Sequence, residues 1–338
     1  MDYKLKICAK DIEKKKPTQS PITQNMHSSN HSPLKSNKKA LMSYVKALEK
    51  ELGNSTKIIG IVEFGSYAKD EATPVSDIDT RVYVSNPKHY IWQPVIARFD
   101  QSQQDTLENR FTEFEKEFGA SPKLKYDWAT FNKPLAEKIS AQVNINIEFG
   151  LADYRYTMFE LQNLNIFATV EHAILLQSNI LYDPKKWLKK TRDNIRGKKF
   201  PPLVSFYKKR YLDALPFEIY QFLKNDTYDD FKIKKSGQIQ WVKWAVRCLR
   251  DAVASKTYIN SGNFTYQKSE VLNFYKHHIP EDYKFIQEIY DWKTNAITRQ
   301  EIVNDFLNNR KHYFELFESL MPRLESVVKK VNKTQITK

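Results

Sequence analysis

The apolar positions of this chain repeat with different periods, and each period predicts a different element. Within residues 39–52, Leu41, Tyr44, Val45 and Leu48 fall three and four apart, the spacing of one buried helix face, and Gly53-Asn54 ends the run. KIIGIVEF, residues 57–64, is short, rich in β-branched side chains and almost wholly apolar, as a central strand covered on both faces should be. DIDTRVYV, residues 77–84, alternates and predicts a half-buried strand. A polar helix is expected around residues 103–119. AQVNINIEFG, residues 141–150, alternates again, with Val143, Ile145, Ile147 and Phe149 on one face and Asn144, Asn146 and Glu148 on the other. On that pattern Glu148 lies late in the strand.

Past residue 155 the rhythm turns helical. TMFELQNLNIFATVEHAILLQ predicts a helix and NILYDP a short extended piece, and nearly everything after LVSFYKKRYLDALPFEIYQFLKND carries helical periodicity broken by loops. The expected fold class is α/β (α+β): a small mixed-sheet domain over residues 38–155, then an all-helical domain over residues 156–325. Residues 17–37 are rich in Ser, Asn, Pro and Thr with few large apolar side chains, so residues 1–37 read as a disordered basic lead-in, and residues 326–338 as a basic tail.

Charge sharpens this division. The net +14 is uneven: +6 in residues 1–39, −4 in residues 40–154, +8 in residues 155–325 and +4 in the tail. A basic second half attracts anionic partners such as RNA or a phosphorylated substrate, although lysines on solvated helix faces produce the same number. No apolar run approaches the ~20 residues that span a bilayer. MDYKLKICAKDIEKKK lacks the apolar core of a secretory signal, and Cys8 and Cys248 fit free thiols in a reducing compartment. A cytoplasmic protein with no membrane partner is expected.

The candidate chemistry sits where the two strands meet. Period two places Asp77 and Asp79 on one face with Ile78 turned to the core. Two such carboxylates repel and raise each other's pKa unless a cation lies between them, and a hard divalent ion takes one or two carboxylates together with substrate phosphates. Gly65-Ser66 supplies the complement: a glycine lets the backbone approach an anion. If SYAKDEA begins a helix, its free N–H groups point to the same place, with the Ser66 hydroxyl and then Ser76 as further donors.

Gly65-Ser66, nine residues, then Ser76-Asp77-Ile78-Asp79 resembles the signature of the DNA polymerase β-like nucleotidyltransferase superfamily, and EATPVSDID is similar to the form in the small bacterial antibiotic nucleotidyltransferases of streptomycin and kanamycin type. The resemblance implies that Ser66 holds a nucleoside triphosphate, that Asp77 and Asp79 bind metal, and that a neighbouring strand adds a third carboxylate. It implies Mg²⁺ as cofactor, two ions with Mn²⁺ as a substitute, and ATP or another NTP as substrate. Asp70 stands where that family often has glycine, an acid beside the triphosphate that could lower nucleotide affinity.

Glu148 is the candidate third carboxylate, as metal ligand and as general base on the acceptor hydroxyl. Matching EFG to the streptomycin-modifying enzymes would instead put Asn146 at the family's glutamate, and Asp153 is a further alternative. Arg81 shares the face of the two aspartates, so it either contacts phosphate or pairs with those acids or Glu148. Lys69 either reaches the triphosphate or lies exposed. QWVKWAVRCLRDAVASKTYINSGNF is similar to a helix and loop in the C-terminal domain of streptomycin/spectinomycin adenylyltransferases, which implies phosphate contact by Lys256; Arg247, Arg250 and Lys256 otherwise form the wet side of an amphipathic helix, and Trp187, Trp241, Trp244 and Trp292 are mostly core.

The function these residues predict is metal-dependent transfer of a nucleoside monophosphate, AMP from ATP first among candidates, to a hydroxyl of a small molecule, RNA end or protein, with release of pyrophosphate. Aminoglycosides are polycations, which the +8 of residues 155–325 disfavours unless Asp226, Asp229 and Asp230 form a local acidic pocket. A non-catalytic nucleotide- or RNA-binding module is the alternative.

Overall fold

The computed structural model describes residues 32–73, 76–85, 112–117, 133–164, 168–214, 240–295 and 308–336, with isolated positions at 109, 301 and 304. Residues 1–31, most of 103–119, Cys8 and the acids at 226, 229 and 230 lie outside the described residues.

Among the described residues, four strands form one mixed sheet in the order β3-β2-β1-β4. β1 (Lys57–Phe64) is central, antiparallel both to β2 (Ile78–Ser85) and to the edge strand β4 (Asn179–Tyr182), while β3 (Ile147–Asp153) runs parallel to β2. This is the placement that the nearly continuous apolar sequence of β1 requires. Ile61 packs on one side against Tyr44, Val45 and Leu48 of α2 (Lys38–Leu52) and against Ala136 and Ile139 of α4 (Lys133–Val143). Val62 packs on the other side with Tyr83, Leu175, Leu188 and Ile195. That second face is covered by α5 (Tyr154–Asn163), α6 (Thr169–Gln177) and α7 (Trp187–Ile195). A single turn, α3 (Gly65–Ala68), leaves β1, and α1 (Pro33–Ser36) precedes α2.

Four sequence expectations shift. Within the expected lead-in, Ser32 caps α1 and Leu34 is fully buried, so order begins before residue 38. The helix expected from SYAKDEA is only one turn long, and Asp70 beyond it takes φ +56°. The alternation of residues 141–150 is divided: α4 runs to Val143, Asn144 turns at φ +54°, and the strand starts at Ile147, making Glu148 early rather than late. Ser140 explains the break, because its Oγ accepts from Ile147 N at 3.0 Å and donates to Ile147 O at 3.2 Å, tying the helix end to the strand start. Finally, the short extended piece expected at NILYDP is β4, but it joins the sheet of the first domain from within the span assigned to the helical one, covering the open edge of β1.

The remaining helices among the described residues are α8 (Pro201–Tyr207), continued by a π-helical segment (Lys208–Ala214), then α9 (Gln240–Ser261), α10 (Lys268–His278), α11 (Pro280–Thr294) and α12 (Arg310–Lys333). α9 is the hub of this bundle: Val246, Leu249 and Val253 pack with Tyr275, Ile286, Tyr290, Leu324 and Val328. Trp241 and Trp292 meet edge to face at 5.7 Å inside it, as expected of core aromatics. Among the described residues, no helix is long and apolar enough to cross a membrane.

Candidate active site

Strand register assembles the carboxylates. Asp79 lies opposite Phe64 of β1 on one side and Glu148 of β3 on the other. Asp77 precedes Asp79 by one period, and ligand oxygens of Asp77, Asp79 and Glu148 all lie within 4.8 Å of one another. Among the described residues this is the group of acids and histidines that converges in this way. Asn146 is exposed and its backbone carbonyl accepts from Ile78 N at 2.9 Å, whereas Asp153 caps α5 through Arg155 N at 2.7 Å and pairs with the Arg155 guanidinium at 2.8 Å. Of the three candidates, register thus brings Glu148 beside the two aspartates.

Burial pushes the Asp79 carboxyl up to about 7, helped by the charges of Asp77 and Glu148 and opposed by Lys69 and Lys243. A chain that clusters three carboxylates at this cost has the donor set of a hard divalent ion, so the residues present fit the metal that the motif implies.

Gly65 has a role other than approach to an anion. It has φ +73°, and a Cβ there would stand 1.8 Å from Asp79 Oδ2, so only glycine lets the turn pass under that carboxylate. Gly65→Ala is expected to displace Asp79 and weaken Mn²⁺ binding about tenfold or more, from roughly 1–3 kcal/mol of strain plus the clash, as read by calorimetric titration. Asp70 at φ +56° occupies a left-handed position that glycine favours and aspartate tolerates, which accounts physically for a glycine-to-aspartate exchange here.

The structure distributes the other candidates differently. The Ser66 backbone carbonyl accepts from Lys69 N and Glu71 N, folding the turn, and its hydroxyl has no protein partner among the described residues. Ser76 closes the following loop: its Oγ accepts from Thr73 N at 2.9 Å and lies 3.1 Å from Thr73 Oγ1. Arg81 pairs with none of the three acids. Its Nη2 meets Glu171 Oε1 of α6 at 3.1 Å, and Glu171 Oε2 accepts from Tyr83 OH at 2.9 Å. The guanidinium crosses β3 over Gly150, where a Cβ would lie 2.5 Å from Nη1. Arg81 thus fastens α6 to the sheet beside the site.

Lys256 is held elsewhere. Its Nζ donates to the Asn332 carbonyl at 2.7 Å, satisfying a last-turn acceptor of α12. Of the side chains of α9 that sequence read as wet, Arg247 and Arg250 turn instead toward the loop after Ser66, together with Lys243 one helical turn before Arg247. Arg250 Nη1 donates to both oxygens of Glu71, at 2.9 and 3.2 Å, and Lys293 of α11 joins the same carboxylate. Arg250 and Arg247 both grip Asp251, at 3.0 and 3.2 Å. The Lys268 amide donates to the Lys69 carbonyl at 2.8 Å. Lys69 is partly enclosed; burial and then Arg250 push its ammonium down to about 7, against Asp251 and Glu71.

Sequence reasoning thus missed Glu71, Lys243 and Lys293. Lys243 and Arg250 are two helical turns apart, so a shared face was readable, but not what that face would meet.

No curated protein matches this chain. Residues 41–148 match the nucleotidyltransferase domain family, and the matched span begins in α2 and closes on Glu148. β1, β2, the glycine turn and all three clustered carboxylates fall inside it, and the chain therefore carries a nucleotidyltransferase domain of the polymerase β-like superfamily.

Proposed function

We propose that this protein transfers a nucleoside monophosphate, AMP from ATP, onto an acceptor hydroxyl bound between the sheet and the helical bundle. The observation that carries the reading is the convergence of Asp77, Asp79 and Glu148 within 4.8 Å, beside the Gly65-Ser66 turn. These three residues would hold divalent metal, Mg²⁺ or Mn²⁺, which when bound neutralises triphosphate charge and polarises the reacting oxygens.

The chain's own groups supply the rest. Ser66 offers a free hydroxyl to a phosphate oxygen. Lys69 and Lys243 set positive charge against the carboxylates, from the sheet side and the bundle side, where a triphosphate would hold the Lys69 ammonium protonated. Glu148, the exposed member of the three, takes the proton of the acceptor hydroxyl. The acceptor oxygen then bonds the α-phosphorus as the bond to the β-phosphate bridge breaks and pyrophosphate leaves.

A polycationic aminoglycoside is disfavoured as acceptor by the +8 of residues 155–325; an anionic acceptor or a protein hydroxyl suits that balance. The decisive experiment incubates the protein with α-labelled ATP, Mg²⁺ or Mn²⁺ and cell extract, then separates small-molecule, RNA and protein pools. Label appearing in one pool, and lost on chelation, is the expected result; label left in free nucleotide in every pool would overturn the reading.

Lys243→Ala is expected to raise the KM for ATP about tenfold, the loss of one charge-assisted contact. Lys256→Ala should leave KM within about twofold, since its ammonium caps α12. Steady-state kinetics on the pair distinguishes the two lysines.

A further inference from the structure

The positive charge of the second half is concentrated in one place. Residues 182–211 hold eleven lysines and arginines against two aspartates, while the rest of residues 155–325 carries seventeen bases and eighteen acids. In the fold this stretch is the end of β4, the turn that carries Lys185 and Lys186, α7, the loop after it, α8 and the start of the π-helical segment. Lys185, Lys186, Lys189, Lys190, Arg196, Lys198, Lys199, Lys208 and Lys209 are all exposed. Among the described residues, none of these nine side chains is held in an ion pair. A solvated structural face usually interleaves its charges; this one leaves nine cations uncompensated.

The surface is continuous with the active site. The loop after α7 touches the loop after α9, where a Cβ at Gly262 would stand 2.4 Å from the Gly197 carbonyl carbon. That second loop leads through Tyr266 to Lys268, whose amide bonds the Lys69 carbonyl. The Tyr266 hydroxyl, perturbed chiefly by burial, lies within the fields of Arg192, Arg196 and Asp70. Arg192 donates to Ser178 Oγ at 3.1 Å and keeps a buried Nε without a partner.

We propose that α7 with the turn before it and the loop after it, together with Lys208 and Lys209, forms a docking surface for an RNA strand whose terminal hydroxyl is delivered to Asp77, Asp79 and Glu148. This rests on the nucleotidyl-transfer reading for the fate of the strand's end, though not for the binding itself. Charge complementarity calls for a polyanion. Lipid is the poorer fit: among the described residues the only exposed large hydrophobics are Met42 and Val170, so the basic face has no apolar group to insert. RNA fits the site because its terminal ribose offers two adjacent hydroxyls to a transfer centre.

The test is fluorescence anisotropy of a labelled 20-nucleotide single-stranded RNA with the full chain, without nucleotide, over a salt series. The combined Lys185→Gln, Lys186→Gln, Lys189→Gln, Lys190→Gln variant should bind at least about tenfold more weakly at low salt. It should also flatten the plot of log affinity against log salt by about 3, at about 0.7 per lost phosphate contact. Lys276→Gln with Lys284→Gln, exposed lysines of α10 and α11, should change affinity less than about twofold. Circular dichroism melts establish that both variants are folded. Absence of RNA binding, or an equal loss in the control variant, overturns the surface. So does tighter binding of phosphatidylserine vesicles through the same lysines, or equal binding of a DNA strand of the same sequence. If RNA binds but never acquires label from ATP, the surface stands and transfer to RNA falls. If label enters only small molecules or protein and RNA does not bind, this inference falls while nucleotidyl transfer stands.

Discussion

Asp79→Asn will lower nucleotidyl transfer about a thousandfold and leave the fold intact. Asparagine keeps the shape that fits over Gly65, so the turn need not move, but it removes the charge at the centre of the three acids. Asp79 is the member flanked on both sides by register, by the glycine turn after Phe64 and by Glu148. The charge stabilisation a held divalent ion supplies is several kcal/mol, and each 1.36 kcal/mol is tenfold in rate. Removing one buried like charge also relieves the repulsion that pushes the Asp79 carboxyl up to about 7. The variant should therefore melt no lower than wild type without metal, while losing most of the stabilisation that added Mn²⁺ gives. Paired measurements of pyrophosphate release and melting temperature check this. Activity within tenfold of wild type would show that the carboxylate cluster is not the reacting centre.

Glu71→Gln should cost about 3–5 kcal/mol, the penalty for stranding a buried cation. Glu71 is 1 % exposed and is shared by Arg250 of α9 and Lys293 of α11, so it is the ionic peg between the sheet domain and the bundle. Burial alone would raise its pKa, but Arg250 and then Lys293 outweigh that and hold the carboxyl down at about 2, from 4.5. A depressed acid stabilises the folded state fully above its unfolded pKa. The contribution is therefore complete above about pH 4.5 and fades as pH falls toward about 2, in total about 3 kcal/mol. Denaturant unfolding should show a wide gap between wild type and variant at pH 7 that narrows below pH 4.5. A gap of constant size across that range would mean that packing, not charge, makes the contribution. Because the Lys69 and Glu71 loop carries both the peg and the wall of the site, the variant should lose nucleotide affinity as well as stability.

Sequence alone determined the elements whose pattern is local. β1 and β2 follow from a buried apolar run and a clean alternation, and Gly65, Ser66, Asp77 and Asp79 follow from their order around those strands. Nothing beyond chain adjacency and period two is needed to place two acids on one face at a strand mouth. Glu148 was legible only as one of three options, because alternation cannot show where a helix ends. Val143 and Ile145 also pack against the core, from a helix terminus and the turn after it, and so mimic two strand positions.

Tertiary structure decided everything that depends on distant segments meeting. Parallel pairing of β3 with β2 set Glu148, rather than Asn146 or Asp153, beside the two aspartates. Docking of α9 on the loop after Ser66 turned a face read as wet into the bundle's side of the site, bringing in Lys243 and Arg250 and leaving Lys256 to cap α12. Arg81 found its partner ninety residues away in sequence, on α6. Charges are long-ranged and indifferent to chain order, so composition can announce a basic half without locating it. A count along the chain finds the excess in residues 182–211, but only folding links that stretch, through the loop after α9, to the loop after Ser66.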